Sequence, residues 1–349
     1  MPNSPSVQLP DLLSVARTLE LRTNPHCFTV SAASQAWFTA HPALTEAERT
    51  SLASVKPGLW AAVCFPTCDP PQLRLVTDFL TALLISNTRL VHGQPCPSGD
   101  LAQDPLFQDV LKRILACPAS ETWRVRFTQS CAAYRNAAHR FQNESCPNLY
   151  AYIPLRRALS GLPLLFDLVE LAEGLKMPPP DDRWQEAQKA SADVIALSLD
   201  VMAYNNDQYL GNDFNLVSII RTEQDLSHQA AMNAAFVRVQ AASARFVSAS
   251  ESLRGVPQAV ATSPQPSWIQ SLSLWGAPKQ SSESPTEPPL LERDERLYLR
   301  GLEDCIAGTF YWAYESETYF GKKGDEVSKF GWVFLRRREV EVEAGGAQQ

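Results

Sequence analysis

Positive charge is scarce: 31 lysines and arginines face 38 aspartates and glutamates, a formal net charge of −7. That balance argues against nucleic acid as a partner, because binding a polyanion needs a clustered basic face. No run of about 18 apolar residues occurs, so no membrane span is expected. The opening MPNSPSVQLPDLLSVARTLELR has no basic n-region followed by an apolar core, which argues against a secretory signal and makes a cytoplasmic address the expectation. The eight cysteines (27, 64, 68, 96, 117, 131, 146 and 305) contain no CxxC pair. Cys64 and Cys68 lack a second Cys or His pair to complete a zinc site, so all eight read as reduced, partly buried thiols. His26, His41, His92, His139 and His228 share no HxxH or HExxH spacing, and there is no GxSxG or glycine-rich phosphate loop. Local motifs therefore predict no metal and no cofactor.

What is abundant is apolar residues at helical spacing. Hydrophobic residues make up 45% of 349, enough for one large or two ordinary cores. PPQLRLVTDFLTALLISNTRLV carries them at 73, 75, 76, 79, 80, 83, 84 and 90, the i, i+3, i+4 rhythm of a helix buried on more than one face. PNLYAYIPLRRALSGLPLLFDLVELAEGL gives a second helical stretch, broken at Gly161 and Pro163. WQEAQKASADVIALSLDVMAYNND, DLSHQAAMNAAFVRVQAASARFVSASESL and ERLYLRGLEDCIAGTFYWAYESETYF give three more. Alternating patterns and hairpin signals are scarce, so the fold class is all-α, a single helical bundle. Residues 1–23 read as an N-terminal segment and 24–335 as the α domain. Within it, the Pro- and Ser-rich stretch from about 255 to 291 reads as a partly disordered surface loop, and 336–349 as a charged tail.

Five stretches carry a resemblance: NPHCFTVSAASQAWF, KPGLWAAVCFPTCDPPQLRLVTDFLTALL, SCPNLYAYIPLRRALSG, GNDFNLV and GTFYWAYESETYFG. In this order, from about residue 24 to 321, they resemble successive landmarks of fungal class I sesquiterpene synthases. The resemblance implies helices around a central apolar cavity, where three Mg²⁺ ions and basic side chains draw the diphosphate off a prenyl substrate. Mg²⁺ needs hard oxygen ligands, and diphosphate favours arginine forks.

The sequence departs from that pattern at three places. Counting from Asp78, the aspartate-rich first metal motif falls on Asn87-Thr88-Arg89-Leu90-Val91, with no carboxylate and with Arg89 bringing positive charge toward the metal position. The second motif offers oxygen ligands at i, i+4 and i+8. Aligned without gaps on GNDFNLV, these become Leu199, Ala203 and Asp207. A gapped register beginning at Asn206-Asp207 places Leu210 and Phe214 instead. The C-terminal Arg-Tyr pair becomes Thr318-Tyr319. Arg157 matches the diphosphate-sensing arginine, Gly161 the helix break, and Trp312 a cavity tryptophan.

Three elements that serve one function have thus lost groups together, which leaves the charges of a diphosphate–metal cluster without partners. The expectation is a metal-independent cyclase-like enzyme that cyclises, isomerises or dehydrates a small, neutral, hydrophobic metabolite by acid–base and shape control. Asp207, Arg157 and Tyr319 are its candidate catalytic groups, with Leu83, Asn87, Tyr204, Asn206 and Trp312 lining the substrate and no metal ligand. Each has a structural counterpart: Asp207 and Asn206 as helix-end hydrogen-bonders, Arg157 as the partner of a structural carboxylate, Asn87 as a helix terminator, and the aromatics as core. Two further readings remain open, a divergent Mg²⁺-dependent synthase on farnesyl diphosphate and a noncatalytic metabolite-binding or pathway partner. The resemblance also allows a homodimer.

Overall fold

The computed structural model describes residues 5–91, 104–144, 148–255 and 291–336. Most of the loop expected at 255–291 and of the tail at 336–349 lies outside the described residues. Helices begin where a side chain accepts from the first free backbone N–H groups. After α1 (Cys27–Thr39), Thr45 and Glu48 form a reciprocal capping box at α2 (Glu46–Val55). Then come α3 (Pro57–Cys64) and α4 (Pro70–Val91), the latter coincident with the apolar stretch read in the sequence and continuing past Asn87. Asp104 caps α5 (Pro105–Ala116) and Ser120 caps α6 (Glu121–Asn143).

The break between α7 (Leu149–Leu159) and α8 (Leu162–Ala172) is fixed by Gly161, whose φ of +73° suits glycine. A Cβ at Gly161 would lie 2.6 Å from Leu83 Cδ2, so α4 is packed directly under the break. Asp181 caps α9 (Asp182–Leu210), and Gly211, at φ +74°, ends it. The loop that follows returns through Asn215, which caps α10 (Leu216–Glu223). α11 (His228–Leu253) packs along α9, and α12 (Arg293–Glu315) against α3. Gly308 permits the second contact, since a Cβ there would meet the Val63 carbonyl carbon at 2.6 Å.

Besides the expected helices there is a small ribbon. β1 (Ser6–Gln8) pairs antiparallel with β2 (Trp332–Phe334), following α13 (Gly324–Phe330), with Val7 opposite Val333. Strands of three residues are too short to show in a period-two pattern. Val7, Leu9 and Leu12 are buried in the shared core, so part of the N-terminal segment packs with the bundle. Among the described residues no helix is long and apolar enough to cross a membrane.

Candidate active site

One face of α9 builds the site. Leu199, Ala203, Asn206, Asp207 and Leu210 follow the 3.6-residue turn and line a single chamber of about 250 Å³. The ungapped register of the second metal motif falls on this face, and the gapped one runs past the end of α9 to Phe214. Leu84 and Asn87 of α4, Phe141 of α6, Arg156 and Leu159 of α7, and Phe214 after α9 close the walls. Trp60 and Trp312 lie at one side, stacked with centroids 4.6 Å apart and rings inclined by 15°. Trp60 donates its indole N–H to Thr309 Oγ1 (2.8 Å) and Trp312 donates to the Val55 carbonyl (2.7 Å). The indole polar atoms are thus satisfied within the protein, and what the rings offer the chamber is aromatic surface. Tyr319 stands edge-on to Trp312 at 6.0 Å.

The polar groups form two linked sets. In the first, Arg156 Nε donates to Asp200 Oδ1 (2.8 Å) and the Tyr152 hydroxyl donates to Asp200 Oδ2. Burial opposes the charge on Arg156, but Asp200 more than offsets it and holds the guanidinium above its ordinary value. Burial, reinforced by Asp200, pushes the Tyr152 phenol well up. In the second set, Asn215 Nδ2 donates to Asp207 Oδ2 (2.7 Å) and Asn212 Nδ2 to Asp207 Oδ1 (3.1 Å). Burial pushes the Asp207 carboxyl up to about 6 against the pull of those two amides, with Asp200 adding to the rise. Asn215 joins the sets, since its Nδ2 also donates to the Asp200 carbonyl (2.8 Å). Burial keeps the Tyr319 phenol protonated, with Asp207 and Asp200 pushing the same way.

Asp207, Tyr319, Asn87, Asn206 and Trp312 therefore meet around the chamber, whereas three expected site residues do not line it. Arg157 turns away and grips both oxygens of Asp193 (2.7 and 2.8 Å), a carboxylate it shares with Arg245 (2.6 Å). The structure shows Arg157 in a structural pairing, and the neighbouring Arg156 lines the chamber. Tyr204 is buried, bonded through its hydroxyl to His228 Nδ1 (2.6 Å). Leu83 is buried beneath Gly161, and its neighbour Leu84 lines the cavity. Arg89 does not approach the expected metal position either. It pairs with Glu48 (2.7 Å), whose carboxyl it holds down at about 2, and donates to the Ala43 carbonyl (2.6 Å).

The missed residues had a signal. Tyr152 and Arg156 are four apart, in line with Ser160 just before the break at Gly161, and Asp200 is one residue from the expected ligand position. Arg157→Ala is accordingly expected to lower stability by about 1–3 kcal/mol, softened because Arg245 still faces Asp193. It should leave ligand affinity unchanged, whereas Arg156→Ala should weaken it. Thermal melts alongside ligand titrations separate the two.

At the positions matched to the two metal motifs only Asp207 carries a carboxylate. Leu199 and Ala203 offer no lone pairs, and Asn87 Oδ1 accepts from the Tyr134 hydroxyl (2.7 Å). Each oxygen of Asp200 and Asp207 already accepts from an N–H or O–H. No group of three or more His, Cys, Asp or Glu residues gathers as a metal site among the described residues.

A helical bundle enclosing an aromatic-walled chamber with ionisable groups on one side has the form of a small-molecule site. Residues 68–245, just over half the chain, match the family model described as terpene synthase family 2, C-terminal metal binding, and the chain belongs to the terpene synthase family. It is 28% identical to sesquiterpene synthase 1 of Postia placenta, with 96% of each chain covered. It is 25% identical to sesquiterpene synthase Agr1 of Cyclocybe aegerita, with 97% of this chain and 95% of that one covered. Among solved structures it resembles α-eudesmol synthase (TM-score 0.63, 17% identity, covering 85% of this chain and 97% of that one). It also resembles germacradien-4-ol synthase from Streptomyces citricolor (TM-score 0.59, 18% identity, covering 90% and 99%). The fold is the all-α class I terpene synthase fold.

Proposed function

We propose that this protein is a terpene-cyclase-like enzyme that acts without Mg²⁺ on an already elaborated terpenoid whose reacting part is uncharged. The observation that carries this reading is the state of Asp207. Its carboxyl faces an apolar chamber, is pushed up to about 6, and is held by two asparagine amides instead of by metal-ligand neighbours. A carboxylic acid so placed protonates an alkene or epoxide of the substrate. The stacked Trp60 and Trp312 and the phenol of Tyr319 then face the resulting cation. Loss of a proton from the rearranged cation to the Asp207 carboxylate restores the acid, so cyclisation or isomerisation proceeds without a net proton change. Arg156 stays neutralised by Asp200 and shapes the polar wall.

A second reading, Mg²⁺-dependent cyclisation of farnesyl diphosphate, is favoured by the relatives, which are sesquiterpene synthases by name across nearly the whole length of this chain. Product analysis decides between them. The protein is incubated with farnesyl diphosphate in Mg²⁺ or in chelator, and in parallel with farnesol and a sesquiterpenoid epoxide. The expected result is no Mg²⁺-dependent hydrocarbon and a chelator-insensitive conversion of an uncharged substrate. Mg²⁺-dependent terpene products would overturn the metal-free reading, and tight binding without turnover of any substrate would favour a noncatalytic partner.

A further inference from the structure

Away from the chamber, α11 and α12 enclose a second cavity of about 370 Å³ together with the N-terminal residues Val15 and Leu19 and with Val194 of α9. Ser243, Phe246, Val247, Ser250 and Arg254 recur every three or four residues, so one face of α11 supplies a whole wall. Val194 and Asp207 lie about 20 Å apart along α9 at a rise of about 1.5 Å per residue. The two cavities share no lining residue.

One group in this cavity is left unanswered. Ser250 is 3% exposed, and its hydroxyl is buried without a hydrogen-bond partner. Helical serines commonly settle this locally. Ser191 and Ser198 of α9 donate back to the carbonyls of Ala187 (2.8 Å) and Val194 (2.6 Å), whereas Ser250 makes no such bond. A buried hydroxyl without a partner is destabilising and calls for one. Water is a poor candidate, since it needs about two to four polar contacts. Val194, Phe246 and Ile306, all nearly fully buried, present only hydrocarbon to the same space. At the rim the charges answer one another. Arg254 pairs with Glu303, and Arg300 pairs with Glu20 and again with Glu303 (3.6 Å). Glu251 adds a further carboxylate. Both rim arginines are thus neutralised, and an anion would meet net negative charge there.

We propose that this cavity binds a small uncharged alcohol or ketone, whose hydrocarbon body fills the walls and whose single oxygen bonds the Ser250 hydroxyl. The site is independent of the chemistry assigned to Asp207, with which it shares no wall.

Binding is measured on the methyl-labelled full-length protein, titrated with menthol, menthone and menthane, which share one carbon skeleton, and with menthanecarboxylic acid. The methyl resonances of Val194, Val247 and Ile306 report on this cavity, and those of Leu84, Leu199 and Leu210 on the chamber. Menthol, menthone or both are expected to shift the first set and to bind about three- to tenfold tighter than menthane, the range of one neutral hydrogen bond. Ser250→Ala should abolish that preference, leave menthane affinity unchanged, and melt no lower than wild type without ligand, because it deletes an orphaned hydroxyl. Val247→Phe should block binding in this cavity while the chamber resonances stay in place, which also certifies its fold. Equal affinity for the three neutral molecules, a preference that survives Ser250→Ala, tightest binding by the acid, or shifts confined to the chamber set overturns the proposal. Failure of every ligand to shift the first set overturns it too, and a Ser250→Ala protein that then melts below wild type identifies an ordered water as the partner.

Discussion

Asp207→Asn is expected to lower turnover of an uncharged terpenoid by about 10²–10⁴-fold, the contribution of a positioned general acid. The chamber keeps its shape, because asparagine nearly matches aspartate in size and the amides of Asn212 and Asn215 remain at hand. KM should change little while kcat falls, the pattern of a group that acts in the transition state. The wild-type pH profile carries the same information. A general acid works protonated, so the rate should be level below about pH 6 and fall about tenfold per pH unit above it, in step with the carboxyl that burial pushes up to about 6. A rate that rises through pH 6 would assign Asp207 the role of base, and a variant with full activity would remove it from the mechanism.

The same shift makes a statement about stability whose direction is fixed. Asp207 is raised in the folded protein, so its contribution is present below the unfolded value near 4 and is lost as pH rises through about 6. A shift of this size amounts to about 3 kcal/mol between the two limits. Asp207→Asn is therefore expected to melt higher than wild type at pH 8, with the advantage shrinking toward pH 4, less whatever the rearranged amide bonds cost. A group that destabilises the protein at working pH yet is held in an apolar chamber fits a residue kept for chemistry.

The helical architecture was legible because its signals are local. The rhythm of Pro70–Val91 and the break at Gly161 act within a few residues. The α9 spacing was equally legible, and with it the placement of Asp207 and Asn206 on the cavity side. What the sequence hid was rotation. A turn of about 100° separates Arg156 from Arg157 and Leu83 from Leu84, and counting along a motif does not fix the phase of a helix against its neighbours. Tertiary packing sets it, here through Leu83 under Gly161 and through the bidentate grip of Arg157 on Asp193. The contacts of Arg336 with Asn205, Asn206 and Tyr209 were hidden for a different reason, since those residues lie more than a hundred positions away in the chain and Arg336 follows a strand too short to read.

Asp200→Ala is expected to have the largest effect on stability, a loss of about 3–5 kcal/mol. Asp200 is buried and answers three donors at once: the guanidinium of Arg156, the hydroxyl of Tyr152 and the backbone N–H of Leu216 at the start of α10 (3.4 Å). Removing it leaves the Arg156 charge without its counterion in a low-dielectric wall, where solvent cannot replace the lost partner. The double variant Asp200→Ala with Arg156→Leu removes both charges and should recover much of the loss, because the penalty lies in the unpaired ion and not in the absence of the pair. Melts of the two singles and the double form a thermodynamic cycle, and additive losses would show that the two residues act separately. A further consequence follows for function. If the double variant is stable and still converts an uncharged substrate, Arg156 and Asp200 are a neutralised wall of the chamber and the proton chemistry belongs to Asp207. If the stable double variant is inactive while Asp207 is intact, the Arg156–Asp200 pair acts on the substrate itself.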